Sequence, residues 1–256
     1  MQLLQLSGEV RNKIYEFSLS TDAVLYLLRV GNRYSVSETF YGELTTSATE
    51  FNQLKYVCRQ LHRETARLEA RFNDVTILDA DSVSTCLYFF TSSSHRNLAL
   101  LNTIVLRYPE PREHVVEIPC SAYHLALLTD LCRSNPKVQV KLKIPTFGFS
   151  SKLRPNHIAR NFIYIGVYLD WALRGKDSFY LLEGSDSRHV EEYYKEDADD
   201  WRGLVQMEAF QAPNLSFWPS EQQYVQGHFD DIDVEDKKEK WSASARKWIV
   251  EGITSA

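Results

Sequence analysis

Five cations are the residues best spaced to do chemistry. Lys55, Arg59, Arg63, Arg67 and Arg71 recur every fourth residue in EFNQLKYVCRQLHRETARLEARF, residues 50–72, and a basic ridge of this kind meets the phosphates of a nucleic acid or other phosphorylated ligand. A four-residue step overshoots one helical turn by about 40°, so five such residues fan across nearly half the circumference of a helix. Glu64 and Glu69 stand among them, and neighbours at this spacing pair for about a few tenths of a kcal/mol and blunt the local field. Solvated or internally paired charge therefore outweighs phosphate binding at Arg59, Arg63 and Arg67.

Other chemistries find less to work with. No two of the seven histidines stand closer than ten residues, so none supplies the i, i+4 pair that sets two imidazoles on one helical face for zinc. His124, within an apolar stretch, suits a helix surface or a satisfied core position better than a ligand role. Serine nucleophiles usually sit on a Gly-x-Ser-x-Gly elbow; FGFSSK (147–152) and EGSDS (183–187) place Ser beside Gly without that spacing, which is first of all loop chemistry. The ten glycines form neither Gly-x-Gly-x-x-Gly nor Gly-Lys-Ser/Thr, so no phosphate cradle is encoded. The acids of EEYYKEDADD (191–200) suit a solvated helix face, because a hydrolytic pair is decided by a separation that sequence does not carry. Cys58, Cys86, Cys120 and Cys132 lie at irregular spacing inside apolar segments, as buried thiols do, not as a disulfide frame or metal site. No cofactor and no metal is called for, and an enzyme would need a site assembled from distant residues.

The elements that must position these residues belong to an ordinary folded chain. Its 256 residues are 44% hydrophobic and 12% aromatic, enough for a packed core and incompatible with wholesale disorder. A formal net charge of −5 gives no general attraction to nucleic acid or to an anionic membrane. The front of the chain lacks the basic and apolar regions of a secretory signal, and no apolar run approaches the roughly 20 residues that span a bilayer. The expectation is an intracellular protein, in cytoplasm or nucleus, with no membrane segment. Asn214-Leu215-Ser216 is a glycosylation sequon in form only, without meaning in that setting.

Along the chain, Ser7 is placed to cap a helix and Glu9 to sit in its first turn. Val10, Ile14 and Phe17 then fall at i, i+4 and i+7, while Arg11, Lys13 and Glu16 face elsewhere, which predicts one apolar docking stripe. AVLYLLRVGNRYSVSETF (23–40) is rich in β-branched and aromatic residues around Gly31-Asn32 and predicts a β-hairpin. Over 50–72, Leu54, Val57, Cys58, Leu61, Thr65, Leu68 and Phe72 keep a 3.6-residue period, predicting one long helix. Strands are predicted at 74–79, 102–108, 137–144 and 177–183, preceded by helical stretches 50–72, 82–101, 120–134 and 157–174. Helix-then-strand recurrence implies a mostly parallel sheet. The strand starts are separated by 28, 35 and 40 residues, compatible with a short, irregular leucine-rich-repeat-like curve. Beyond residue 184 come an acidic, aromatic helical segment (189–201), a loop with two prolines (211–223), and a helix over 230–253 with Trp241, Trp248 and Ile249 along one edge. The organisation is one α/β domain: an N-terminal helix, hairpin and long helix (1–80), a continuous helix–strand body (81–185), and a C-terminal helical appendage (186–256).

LSGEVRNKIYEFSL (6–19) resembles the signature Leu-Pro-x-Glu-Ile/Val-Arg-Asn-x-Ile-Tyr-Glu of filamentous-fungal proteins labelled F-box-like, with Ser7 at the signature's proline. LKYVCRQLHRETARL (54–68) is similar to the segment that follows there, Leu-x-x-Val-Cys-Arg-Gln-Ile/Leu-x-x-Glu-Thr, in the same order and at a similar separation. F-box proteins dock an N-terminal helical segment on the Skp adaptor of a cullin–RING ubiquitin ligase and hold a substrate with a C-terminal module, often leucine-rich repeats. The resemblance implies Leu6, Val10, Ile14 and Tyr15 as docking residues. The reading favoured over docking is that the stripe of residues 10–17 is buried against the second block, with Glu16 and Arg59 as a structural ion pair between them. The function expected is a non-catalytic protein-interaction module, in its most concrete form a ubiquitin-ligase substrate receptor; the alternatives are an enzyme of unknown class with a site assembled from distant residues or a weak phosphate or nucleic-acid binder.

Overall fold

Strand polarity follows from what lies between the strands. The computed structural model describes residues 3–30, 33–38, 50–79, 81–94, 98–109, 121–144, 155–176, 178–182, 207–219, 227–230, 232 and 235–254. Two residues separate β1 (Leu25–Val30) from β2 (Arg33–Ser37), and the pair is antiparallel with Val30 opposite Arg33, as the hairpin pattern predicts; Gly31 and Asn32 lie outside the described residues. From β1 onward through β3 (Asp74–Leu78), β4 (Thr103–Arg107), β5 (Gln139–Ile144) and β6 (Leu215–Pro219) every neighbour is parallel, because helices intervene and carry the chain back. A two-residue β7 (Ile253–Thr254) closes the far edge antiparallel. The chain is thus a mixed α/β protein on a seven-stranded, mostly parallel sheet in the order β2-β1-β3-β4-β5-β6-β7.

Register sorts side chains onto two faces. Leu25, Val75, Ile104, Val140 and Leu215 lie side by side on successive strands, and Ile77, Leu106, Leu142 and Phe217 make the next row; all are buried. Strand order that follows chain order, with crossovers of one hand, places the connecting helices over one face, and this is the face they cover. Helix α4 (Ser82–Ser92) brings Cys86, Phe89 and Phe90 to the core, and α5 (Ala122–Ser134) brings Leu125, Leu128 and Cys132. Helix α6 (Pro155–Arg174) is buried all round from Phe162 to Leu169, as a helix is when it is apolar on every side. It lies beneath α7 (Glu235–Glu251), whose Trp248 rests on Gly166: a Cβ there would stand 2.0 Å from the Trp248 Cζ3. Trp241 donates its indole N–H to the Leu181 carbonyl at 2.6 Å. The C-terminal helix is therefore packed on the body, with Trp241 and Trp248 buried and Ile249 packed partly buried against the core.

Three expectations are corrected. The long helix over 50–72 is three pieces: a 3-10 turn at Leu54–Tyr56, α2 (Arg59–Thr65) and α3 (Glu69–Phe72). Cys58 breaks it first, in extended conformation, with its Sγ accepting from the Leu61 N–H at 3.5 Å. Arg67 breaks it again at φ 74°. The strand expected at 177–183 is instead a 3-10 turn at Phe179–Leu182, and β6 lies where a loop was expected. Its register is set by buried Asn214, whose Nδ2 donates to the carbonyls of Cys132, Asn135 and Val138 at 2.9, 3.0 and 2.7 Å, tying the start of β6 to the end of α5. Buried Arg174 adds bonds to the Phe210 and Leu215 carbonyls. The acidic segment 189–201, Cys120 and the Ser–Gly stretches 147–152 and 183–187 lie outside the described residues.

Candidate interaction surfaces

Helix α1 (Gly8–Leu19) starts where Ser7 accepts from the Val10 N–H at 3.4 Å, and a polar joint sets its rotation. Arg11 grips the Glu64 carboxylate through Nε at 3.0 Å and Nη2 at 3.1 Å, and donates from Nη1 to the Leu6 carbonyl at 2.6 Å. Tyr15 donates to the same carboxylate at 2.6 Å, and Gln60 adds a bond at 2.9 Å. These donors hold the Glu64 carboxyl down to about 2, the Tyr15 bond being the largest cause. Burial, then the bond to Glu64, pushes the Tyr15 hydroxyl up to about 12. A planar guanidinium on a carboxylate is a geometrically demanding bond, so α1 is locked with Arg11, Tyr15 and Leu19 facing inward.

The consequence is that the apolar stripe faces out. At 100° per residue Val10, Ile14 and Phe17 lie within about 60° of one another and about 100° or more from Tyr15 and Leu19. Val10 is 45% and Phe17 88% exposed, with Ile14 and Leu6 half-buried. The expectation that this stripe is spent against the second block is overturned. Of the docking candidates Leu6, Val10, Ile14 and Tyr15, only Tyr15 is removed from the surface, being fully buried. The expected pair of Glu16 with Arg59 does not form: both are exposed, and the ion pair joining the blocks is Arg11–Glu64. Those two partners were present in the quoted motifs, but nothing in their spacing singled them out.

A second polar joint underlies the break at Arg67. Buried Asn52 donates from Nδ2 to the Thr65 carbonyl and to the Glu69 carboxylate, each at 2.7 Å, and Asn73 ties the Leu19 carbonyl to the Glu69 carbonyl at 2.6 and 2.7 Å. Glu69 is 2% exposed, and burial raises its carboxyl above the usual range against the bond from Asn52. Lys55 is paired with Glu50. All three acids of residues 50–72 are therefore engaged inward or with Lys55, while Arg59, Arg63, Arg67 and Arg71 are exposed and, among the described residues, make no ion pair with any acid.

The sheet face away from the helices is a third surface. Lys141 on β5 reaches across β4 to Asp74 on β3 at 3.0 Å and stands 5.7 Å above the Trp218 ring of β6. Trp218 donates to Ser216 at 2.7 Å and packs on Gly252, held at φ 71°. Gln139 is exposed and Lys141, Lys143, Ser216 and Trp218 are half-buried, whereas Thr76, Thr103 and Val105 at the centre of this face are buried. The alternation of KVQVKLKI foreshadowed the β5 residues; Trp218 was missed with its strand.

Among the described residues, chemistry for bond-making is sparse. Ser84 Oγ and His124 Nδ1 stand 3.3 Å apart, but the neighbouring acids are spent locally: Asp81 caps the Ser84 N–H at 3.1 Å and Asp79 accepts from Thr85 at 2.7 Å. Among the described residues no acid orients His124, and no three of His, Cys, Asp and Glu converge as a metal site. Buried Cys86 and Cys132 have their thiols pushed up by desolvation, Cys132 to about 12, away from the reactive thiolate. No described helix is long and apolar enough to cross a membrane. No family model matches the chain, and no curated protein or solved structure matches it either.

Proposed function

We propose that the chain is a non-catalytic protein-interaction module working inside the cell, and that α1 is its adaptor-docking element, in the manner of a substrate receptor joined to the Skp adaptor of a cullin–RING ubiquitin ligase. One observation carries this: an apolar stripe, Val10, Ile14 and Phe17, is left outward on a helix whose other side is pinned by Arg11, Tyr15 and Glu64. Holding the helix in one rotation removes the ordering cost that a loose segment would meet on binding. The resemblance of residues 6–19 and 54–68 to the F-box-like signature supplies the adaptor as the partner, and the polar, aromatic sheet face around Lys141 and Trp218 is the surface left for a substrate.

The test is co-purification with the Skp adaptor, followed by calorimetry. Phe17→Asp combined with Val10→Asp replaces exposed side chains, so folding is retained, and binding is expected to fall by about a hundredfold or more, as loss of a central apolar anchor does. No complex at micromolar concentrations ends the adaptor form of the proposal. Binding unaffected by the double substitution removes α1 as the docking element.

A further inference from the structure

We infer that the α2–α3 surface carrying Arg59, Arg63, Arg67 and Arg71 binds an acidic segment of a partner protein. The inference uses residues outside the α1 stripe and does not depend on the adaptor proposal. By sequence, Glu64 and Glu69 neutralise this ridge; in the structure neither does. Glu64 is turned to Arg11 and Tyr15, and Glu69 is buried beneath Asn52. Four guanidinium groups are left at the surface within thirteen consecutive residues.

Their arrangement fits carboxylates. Arg59 and Arg63 lie one turn apart on α2, on the side opposite buried Leu61 and Thr65, with Cβ atoms about 5–6 Å apart. Acids two residues apart on an extended peptide are spaced about 7 Å, close enough for each to take one planar guanidinium through paired bonds. Arg67 extends the set at a cost. It holds φ 74°, a conformation that costs an L-residue with a Cβ and that glycine adopts freely, yet an exposed arginine stands there. The net charge of −5 separates the partner classes: a duplex carries one charge per ~1.7 Å and would bring its field against the remaining acidic surface, whereas a short acidic segment meets only the arginines.

The full chain is titrated, by fluorescence anisotropy, into labelled peptides of about ten residues that alternate Glu with Ser or Gln with Ser, and into a single-stranded oligonucleotide of equal charge. The Glu peptide is expected to bind at least about tenfold tighter than the Gln peptide and to weaken as salt rises. Arg59→Gln with Arg63→Gln is expected to cost about tenfold or more, and Lys137→Gln, a distant exposed cation, nothing. Arg67→Gly is expected to weaken the peptide without lowering Tm, a separation that a merely structural arginine would not give. Equal binding of the two peptides, indifference to the arginine substitutions, or preference for the oligonucleotide overturns the inference.

Discussion

The molecule has two cores held by different forces. The larger runs from Leu25 to Ile253 and is built of Leu, Ile, Val, Phe and Trp between the sheet and its helices. The smaller, where α1 meets α2, buries Tyr15, Leu19 and Leu61 among the described residues, with Leu54, Cys58, Leu68 and Phe72 among those partly buried against them, and its precision comes from Arg11, Glu64, Asn52, Asn73 and their bonds. Dispersion and apolar burial are indifferent to which rotation a helix adopts so long as grease is covered. Charge-assisted bonds are not. The body is thus held by packing and the N-terminal region by direction, which is how a helix with an apolar stripe can be fixed with that stripe outward.

Substitutions that separate the two forces sharpen this contrast. The largest effect is expected in the body: Trp241→Ala should cost about 4 kcal/mol in denaturant titration, from the cavity and the orphaned Leu181 carbonyl, and to the same extent from pH 7 down to pH 3. Glu64→Gln should cost about 2 kcal/mol at pH 7 and behave differently with acid. The folded carboxyl sits at about 2 against an ordinary 4.5, so its contribution is complete above pH 4.5 and fades as pH falls toward 2; the gap between variant and parent should close over that window. A gap constant with pH would break the distinction between the cores. Glu69→Gln should go the other way. Burial raises that carboxyl, the folded state holds its proton more firmly than the unfolded chain, and stability falls as pH rises above 4.5. The amide keeps an acceptor for Asn52, so the variant should be more stable than the parent at pH 7, with the gain lost in acid. Smallest is Phe17→Ser, expected within about 0.5 kcal/mol of the parent because the ring is 88% exposed.

What could be seen beforehand divides along the same line. The strands β3, β4 and β5 and the helices α4, α5 and α6 were legible because burial on a sheet or helix leaves a period in the residues. β6 was hidden by its prolines, which usually exclude an inner strand; here Pro213 precedes it, and Pro219 ends it opposite Ile144 of β5, beyond Ser216 and Phe217, the residues that pair with β7. Leu181 and Leu182 imitated a strand because both are buried in succession within a 3-10 turn. The apolar period of residues 50–72 was real, but period is blind to a left-handed Arg67 and to an asparagine that draws the chain aside. On α1 the stripe was placed correctly and turned the wrong way: hydropathy counts Tyr15 and Arg11 as poor core residues, and only their shared contact with Glu64, 49 and 53 positions away in the chain, makes them one.

Strand order that mirrors chain order also bears on synthesis. Each parallel strand from β3 to β6 pairs with a neighbour already made, so the sheet can lengthen as the ribosome delivers it, with little need to wait for distant partners. The helix that lays Trp248 into the notch at Gly166 follows the strands β1 to β6 in the chain. A nascent chain stalled before that helix would present the bare flank of α6 to chaperones and proteases.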